Sequence, residues 1–316
     1  MNVLVLGSTG FIGSNLMNKL STISASRFGR PSGDTVNVVG VSKTLGVDLR
    51  NYEQTKQCLI DTQPDIIFNL ASHGGSLHYV KEKASDVIND NIQMTLNIYR
   101  AMTEISSAAT LVQPFSNCSY PGGSSVQQER DWLHGPVHDS IFSFGNSKRT
   151  IYYISKCYDM QYNIKTVNLL LPNTYGPGDS VDPNHTHALN GMIIRMLKAK
   201  KAGDSEFIVW GTGKPVREWC YVDDFSEALV KGAMLNNHVE PVNIGQESGY
   251  SIGESAHLIK KAIGFEGEIT FDSSYADGDA IKVLAKNTTH NYWPDFSFYD
   301  HEAGIINTVS YYEDKI

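Results

Sequence analysis

Apolar and polar positions along the first half of the chain follow two alternating periods. Short apolar runs occupy Val3–Leu6, Val36–Val41, Ile66–Leu70, Thr110–Phe115 and Thr166–Leu171. Between them, apolar residues return every three or four positions: Phe11, Ile12, Leu16 and Leu20 first, then stretches at 52–62, 85–105 and 143–163. Runs apolar throughout suit strands covered on both faces, and the three-to-four spacing suits helices with one buried stripe. Their alternation predicts an α/β fold built on a doubly wound parallel sheet. The polar stretch 23–35, which carries Gly29, Pro31 and Gly33, reads as a loop. After about residue 172 the pattern turns irregular, broken by Pro172, Gly176, Pro177 and Pro183, with helical spacing resuming near 187–201 and 223–235. The expected division is a main domain of residues 1–172 plus about 223–245, and a smaller C-terminal lobe of about 173–222 and 246–316.

Composition narrows this only slightly. The 316 residues are 41% hydrophobic and 19% charged, ordinary for a globular α/β chain. No apolar run reaches membrane-spanning length, and the opening residues lack a signal peptide's basic segment, so a cytoplasmic location away from membranes is expected. Four scattered cysteines (Cys58, Cys118, Cys157, Cys220) without a Cys-x-x-Cys pair argue against disulfides and structural zinc. A net charge of −8 disfavours nucleic acid as a partner while leaving room for an anionic small ligand.

The first chemistry lies where the first strand ends. Gly7, Gly10 and Gly13 follow Val3–Leu6 and open a helix. Such a turn lets a pyrophosphate meet bare backbone at the helix N-terminus, where unpaired N–H groups favour an anion. Gly7, Thr9, Gly10, Phe11 and Ile12 are therefore candidate cofactor contacts, making the main domain dinucleotide-binding and the smaller lobe substrate-binding. The second strand ends at Ser42 and Lys43 rather than at an acidic residue that would bind ribose hydroxyls and repel a 2′-phosphate. A hydroxyl and a cation there favour NADP(H), with NAD(H) as the alternative.

The Gly-x-x-Gly-x-x-Gly spacing resembles the extended short-chain dehydrogenase/reductase superfamily of NAD-dependent epimerases and dehydratases. Asp48-Leu49 resembles its adenine-holding pair. Leu70, Ala71 and Ser72 resemble the segment closing its third strand, and Asn91 its helix asparagine behind the active site. Members carry Tyr-x-x-x-Lys on a helix, a spacing that sets phenol and ammonium on one face. Ser143-Phe144-Gly145-Asn146-Ser147-Lys148 matches that segment around Lys148, which the resemblance assigns to the nicotinamide ribose. The expected tyrosine is Phe144, and a phenyl ring cannot transfer a proton. Either the acid/base is lost or relocated, or the residue is an engineered Tyr→Phe. A second frame, Tyr152 to Lys156, reads as packing.

Further segments resemble the GDP-L-fucose synthase family, which epimerises C3 and C5 and reduces C4 of a GDP-4-keto sugar. These are Ser116 to Pro121, Asn173 to Asp179, His187 with Arg195, Trp210 to Glu218, and Ala276 to Lys282. The resemblance implies that Ser116 bonds the C4 oxygen, and that Cys118 and His187 act as epimerisation base and acid. His187 would also border the cofactor. Asn173, Arg195, Trp210, Arg217, Lys282 and His73 would hold the substrate, with the arginines on the diphosphate. The expected function is an NADP(H)-dependent epimerase/reductase of a GDP-4-keto hexose or heptose, as a homodimer. Rival readings are a sugar-nucleotide 4-epimerase or 4,6-dehydratase of the same superfamily, and a catalytically silent NADP(H)-binding regulator.

Overall fold

A computed structural model describes residues 1–123, 126–275 and 277–316; Ala276 of the quoted motif lies outside the described residues. In chain order the first half runs β1 (Asn2–Leu6), α1 (Phe11–Leu20), β2 (Asn37–Val41), α2 (Tyr52–Thr62), β3 (Ile66–Asn69), α3 (Leu77–Glu82), α4 (Ala84–Glu104), β4 (Thr110–Ser116), β5 (Val126–Gln127), α5 (Phe142–Tyr162) and β6 (Thr166–Leu171). The second half adds β7 (Asn173–Tyr175), α6 (Ala188–Ala202), β8 (Glu206–Trp210), β9 (Val216–Arg217), β10 (Trp219–Tyr221), α7 (Val222–Ala233), β11 (His238–Asn243), β12 (Tyr250–Ser251), α8 (Ile252–Ile263), β13 (Glu268–Asp272), β14 (Ile281–Leu284), α9 (Asn287–Tyr292) and α10 (His301–Glu313).

The central sheet has six strands in the order β11-β6-β4-β3-β1-β2, every neighbouring pair parallel. The alternation of side chains along each strand explains its two covers. Val3 and Val5 of β1 face one side, where Leu16 and Leu20 of α1 and Phe225 and Leu229 of α7 close a core. Leu4 and Leu6 face the other, against Leu59 of α2 and Ile98 and Met102 of α4. This is the doubly wound, Rossmann-like sheet expected from the sequence. The chain leaves β1 toward β2, then crosses to β3 on β1's other side. That reversal opens a crevice beyond the carboxyl ends of these strands, where such sheets bind ligands.

One expectation needs correction. Within the polar stretch 23–35, Ala25–Phe28 form a 3-10 turn started by Ser24, whose hydroxyl accepts from the Ser26 N–H. Phe28 is 6% exposed and joins the core beside α1. A single phenyl ring among polar neighbours carries no period, so the pattern read as loop alone.

The second half returns to the sheet through α7, packed on α1, and β11, which forms the far edge. The remainder forms small sheets, β10-β7, β12-β9-β14-β5 and β13-β8, around a core from α6, α8 and α10. Among the described residues no helix is long and apolar enough to cross a membrane.

Candidate active site

The glycine turn is as tight as the sequence implies. Gly7 has φ of 80°, and a Cβ there would lie 2.7 Å from the Ala71 nitrogen; one at Gly13 would lie 2.1 Å from the Gly7 carbonyl oxygen. Neither position admits a side chain. Gly10 is the N-cap of α1 and supplies no side-chain cap, so the first-turn N–H groups stay open to an anion. Beside it, Thr9 Oγ1 lies 2.9 Å from Thr44 Oγ1, which lies 2.9 Å from Ser42 Oγ. Lys43 is exposed next to this hydroxyl cluster. Phe11 and Ile12 are half-buried at the helix start. These features fit a dinucleotide with a phosphorylated ribose.

Asp48 and Leu49, the expected adenine pair, follow the hydroxyl cluster in the chain. Both Asp48 carboxylate oxygens accept from Arg50, which holds the Asp48 pKa down at about 2, and Leu49 is 4% exposed inside the core. Each carboxylate oxygen keeps a further lone pair beside its Arg50 contact, so the pair stays open to an adenine.

Across the crevice, the segment after β3 is anchored by α4. Asn91 Oδ1 accepts from the His73 N–H at 2.9 Å and from Ser72 Oγ at 3.1 Å, while its Nδ2 donates to the His73 carbonyl. Lys148 of α5 then donates to Ser72 Oγ at 3.2 Å. Burial lowers the Lys148 pKa to about 8. Leu70 and Ala71 carry this segment past Gly7. The Phe144 ring lies 5.2 Å from Lys148 Nζ and against Gly74, 3.1 Å from where a Cβ would stand. His73 has both ring nitrogens engaged within the chain: Nδ1 lies 2.9 Å from Asp90 Oδ2 and Nε2 lies 2.9 Å from Tyr79 Oη.

At the end of β4, Ser116 Oγ accepts from the Cys118 N–H and starts a one-turn helix at Asn117–Ser119. Cys118 is half-buried, its Sγ 3.5 Å from Lys282 Nζ. Lys282 on β14 pairs in register with Arg217 on β9. Burial pushes the Cys118 thiol up, but Lys282, the Ser116 hydroxyl and Arg217 together outweigh it, and the net shift is downward. A lowered thiol is more readily ionised, and the thiolate is its reactive form. Arg217 donates to the Val216 and Asp277 carbonyls. Among the described residues no ion pair joins Lys148, Arg195, Arg217 or Lys282 to a carboxylate. Unpaired, partly buried cations are costly unless a ligand neutralises them.

His187 stands before α6. Its backbone N–H donates to Asp179 Oδ2 at 2.7 Å, its Nδ1 lies 3.1 Å from both Asp179 oxygens, and its ring centroid is 5.3 Å from that of Phe11. Burial raises the Asp179 pKa, while the His187 contacts and Asn190 bring it net downward. Arg195 is stacked 4.2 Å over the Trp210 ring and donates to the Ile208 carbonyl; Trp210 in turn stacks on Tyr275 at 5.1 Å. Asn173 donates to the Glu218 carbonyl. Tyr152 packs on Trp132 with its hydroxyl on Glu240, 2.8 Å away.

The structure thus brings Ser116, Cys118, Arg217 and Lys282 into one cluster, Ser72, Asn91, Phe144 and Lys148 into a second, and Phe11 with His187 into a third. Arg195 and Trp210 form a separate stacked pair, and Asp48 with Leu49 stand apart. Sequence reasoning missed Tyr79, Asp90 and Thr44, and it quoted Asp179 within a motif without linking it to His187. Asp179 was within reach, eight positions before His187. Tyr79 and Asp90 carry no spacing signal that links them to His73.

The family model of the NAD dependent epimerase/dehydratase family matches residues 3–245. A probable GDP-L-fucose synthase 1 from Oryza sativa subsp. japonica is 27% identical over 320 residues, covering 99% of this chain and 92% of that protein. Among solved structures, a GDP-L-fucose synthetase from Naegleria fowleri bound to NADP has a TM-score of 0.84 at 24% identity, covering 99% of this chain and 94% of that one. A GDP-6-OMe-4-keto-L-xylo-heptose reductase from C. jejuni has a TM-score of 0.87 at 20% identity, covering 100% and 98%. With a glycine turn, a parallel sheet and a family match spanning most of its length, the chain belongs to the NAD dependent epimerase/dehydratase family.

Proposed function

We propose that the protein is an NADP(H)-dependent epimerase/reductase acting on a GDP-4-keto hexose or heptose. The observation that carries this reading is the half-buried Cys118 thiol held 3.5 Å from Lys282 and beside Arg217. A carbonyl acidifies the C–H bonds next to it, and a thiolate of lowered pKa can take such a proton. His187, oriented through Nδ1 by Asp179, leaves Nε2 to return a proton. Lys282 stabilises the thiolate, and Arg217 offers guanidinium donors to the substrate diphosphate. The Trp210–Tyr275 stack with Arg195 over it provides an aromatic platform for the nucleotide base. Ser42, Lys43, Thr44 and Thr9 suit a 2′-phosphate, and the open N-terminus of α1 suits the pyrophosphate. Bound there, NADPH supplies the hydride for the C4 carbonyl. The relatives named for GDP-fucose and GDP-heptose chemistry support the same substrate class.

The test is incubation of purified protein with NADPH and either a GDP-4-keto-6-deoxyhexose or a GDP-4-keto-heptose. Nicotinamide absorbance is followed and the product resolved by NMR. Loss of NADPH with a product altered at C4 and epimerised at C3 or C5 is expected. An unchanged sugar with both substrates overturns the reading in favour of a silent binder.

A further inference from the structure

We propose that Glu218 is a positioning residue for the Cys118 site: its carboxyl group holds β14 against β9, and with it the Lys282 ammonium beside the thiol. What this contributes to catalysis rests on the function proposed above; how the ammonium is held does not.

Glu218 follows Arg217 at the end of β9 and leads into β10. It is fully buried. The pairing of β14 with β9 runs through Ile281 with Val216 and Lys282 with Arg217. Glu218 extends that pairing. Its backbone N–H donates to the Lys282 carbonyl at 2.9 Å, and its Oε2 accepts from the Leu284 N–H at 2.6 Å. Lys282 is therefore gripped at its own carbonyl and again two residues on. The other carboxyl oxygen, Oε1, accepts from the Gln246 N–H at 2.6 Å, and the Glu218 carbonyl accepts from the Asn173 N–H at 3.2 Å. Gly245 lets the Gln246 segment close in, since a Cβ there would stand 2.6 Å from Leu284 Cβ. β7, β9, β14 and the segment before β12 thus meet at one residue.

The grip reaches the thiol through Lys282, whose Nζ lies 3.5 Å from Cys118 Sγ. β14 also packs on the one-turn helix that carries Cys118. Leu284 is itself fully buried, so without the carboxyl group its N–H is an unpaired donor in the interior, and the strand end gains freedom to move. Burial pushes the Glu218 pKa up and the two N–H groups draw it back, to about 8 overall. Protonated or not, both oxygens accept. A glutamine cannot match this: whichever way its amide turns, the NH2 faces one of the two N–H donors and the side chain is pushed off its place.

Coulomb's law sets the size of the effect. With an effective dielectric near 20, moving the ammonium about 1.5 Å farther from the sulfur lowers the thiolate fraction at neutral pH about tenfold.

The experiment compares wild type, Glu218→Met, Glu218→Gln and Lys282→Met, and combines each Glu218 variant with Lys282→Met, all in a Cys157→Ser background. Alkylation of Cys118 is measured against pH, with a thermal melt and NADP⁺ affinity. Exchange at C3 and C5 of a GDP-4-keto sugar is followed in deuterium oxide. The expected result for Glu218→Met is a profile moved to higher pH, with alkylation and exchange both slower by about tenfold and NADP⁺ affinity kept. Glu218→Gln moves the profile in the same direction. In the Lys282→Met background the shift shrinks to less than half, because the ammonium it acted through is gone. A lower melting temperature with the wild-type alkylation profile, or a shift that keeps half or more of its size without Lys282, overturns the role of Glu218. Where Glu218→Met does not fold, Glu218→Gln carries the same comparison, and its coincidence with the wild-type profile overturns the proposal. A shifted profile in a protein whose wild type shows no exchange upholds the grip on the thiol and overturns the functional reading instead.

Discussion

Replacing Lys282 by methionine removes one charge from beside Cys118 while keeping an unbranched side chain of similar length. The ammonium lies 3.5 Å from the thiol sulfur, and Lys282 is 6% exposed. At that distance a unit charge pair in an effective dielectric near 20 is worth about 5 kcal/mol. Arg217 remains and water can enter the vacated space, so the surviving effect on the thiolate is smaller, about 1.5–3 kcal/mol. Each 1.4 kcal/mol is a factor of about ten, so the thiolate fraction at neutral pH falls roughly 10- to 100-fold. The assay is alkylation rate against pH in a Cys157→Ser background, since Cys157 is the exposed competitor. Cys58 and Cys220 are both buried; burial pushes the first up to about 11 and the second well above the ordinary thiol value. Alkylation near neutral pH therefore reports Cys118. Lys282→Met shifts the profile to higher pH without lowering the melting temperature, because the lost cation had no carboxylate partner. An unchanged alkylation profile refutes the electrostatic argument.

Lys148 gives a pH signature of opposite sense to a paired lysine. Its folded value of about 8 lies below the ordinary 10.5, so the unfolded chain binds more protons between these values and stability rises with pH across that window. The difference of about 2.5 units (10.5 − 8) sets a ceiling of about 3 kcal/mol on what the buried charge costs below pH 8. Lys148→Met raises the urea midpoint at neutral pH, flattens that pH dependence and weakens NADP⁺ binding; calorimetry checks the last. Gly13→Ala forces a methyl group to 2.1 Å from the Gly7 carbonyl, and the strain of about 1–3 kcal/mol appears as a lower melting temperature with loss of dinucleotide binding. Lys43→Glu puts a carboxylate beside the hydroxyls of Ser42 and Thr44 and shifts the ratio of NADP⁺ to NAD⁺ affinity toward NAD⁺, measured by fluorescence titration.

The parallel sheet was legible because strands buried on both faces are mostly apolar, as Val3 to Leu6 and Ile66 to Phe68 are. The glycine turn was legible because backbone clashes leave Gly7 and Gly13 no substitute. Lys148 and Cys118 were found through spacing within a motif, which a linear sequence preserves. The contacts that tune them were not, since Lys282 approaches Cys118 across 164 positions. The Arg50 guanidinium that lowers the Asp48 pKa, two residues on, carried no motif of its own. The Tyr79–His73–Asp90 line was equally invisible, for α3 turns back on the preceding glycines and α4 supplies the carboxylate from a separate helix.

The central claim is that Cys118 removes a proton next to the substrate carbonyl, and hydrogen exchange reads this without any net turnover. A GDP-4-keto sugar is incubated in deuterium oxide with wild type and with Cys118→Ser, and incorporation at C3 and C5 is followed by NMR. Rapid incorporation by the wild type, reduced on the order of 100-fold or more in the serine variant, is the predicted result. Equal incorporation by both proteins, or none by either, contradicts the account.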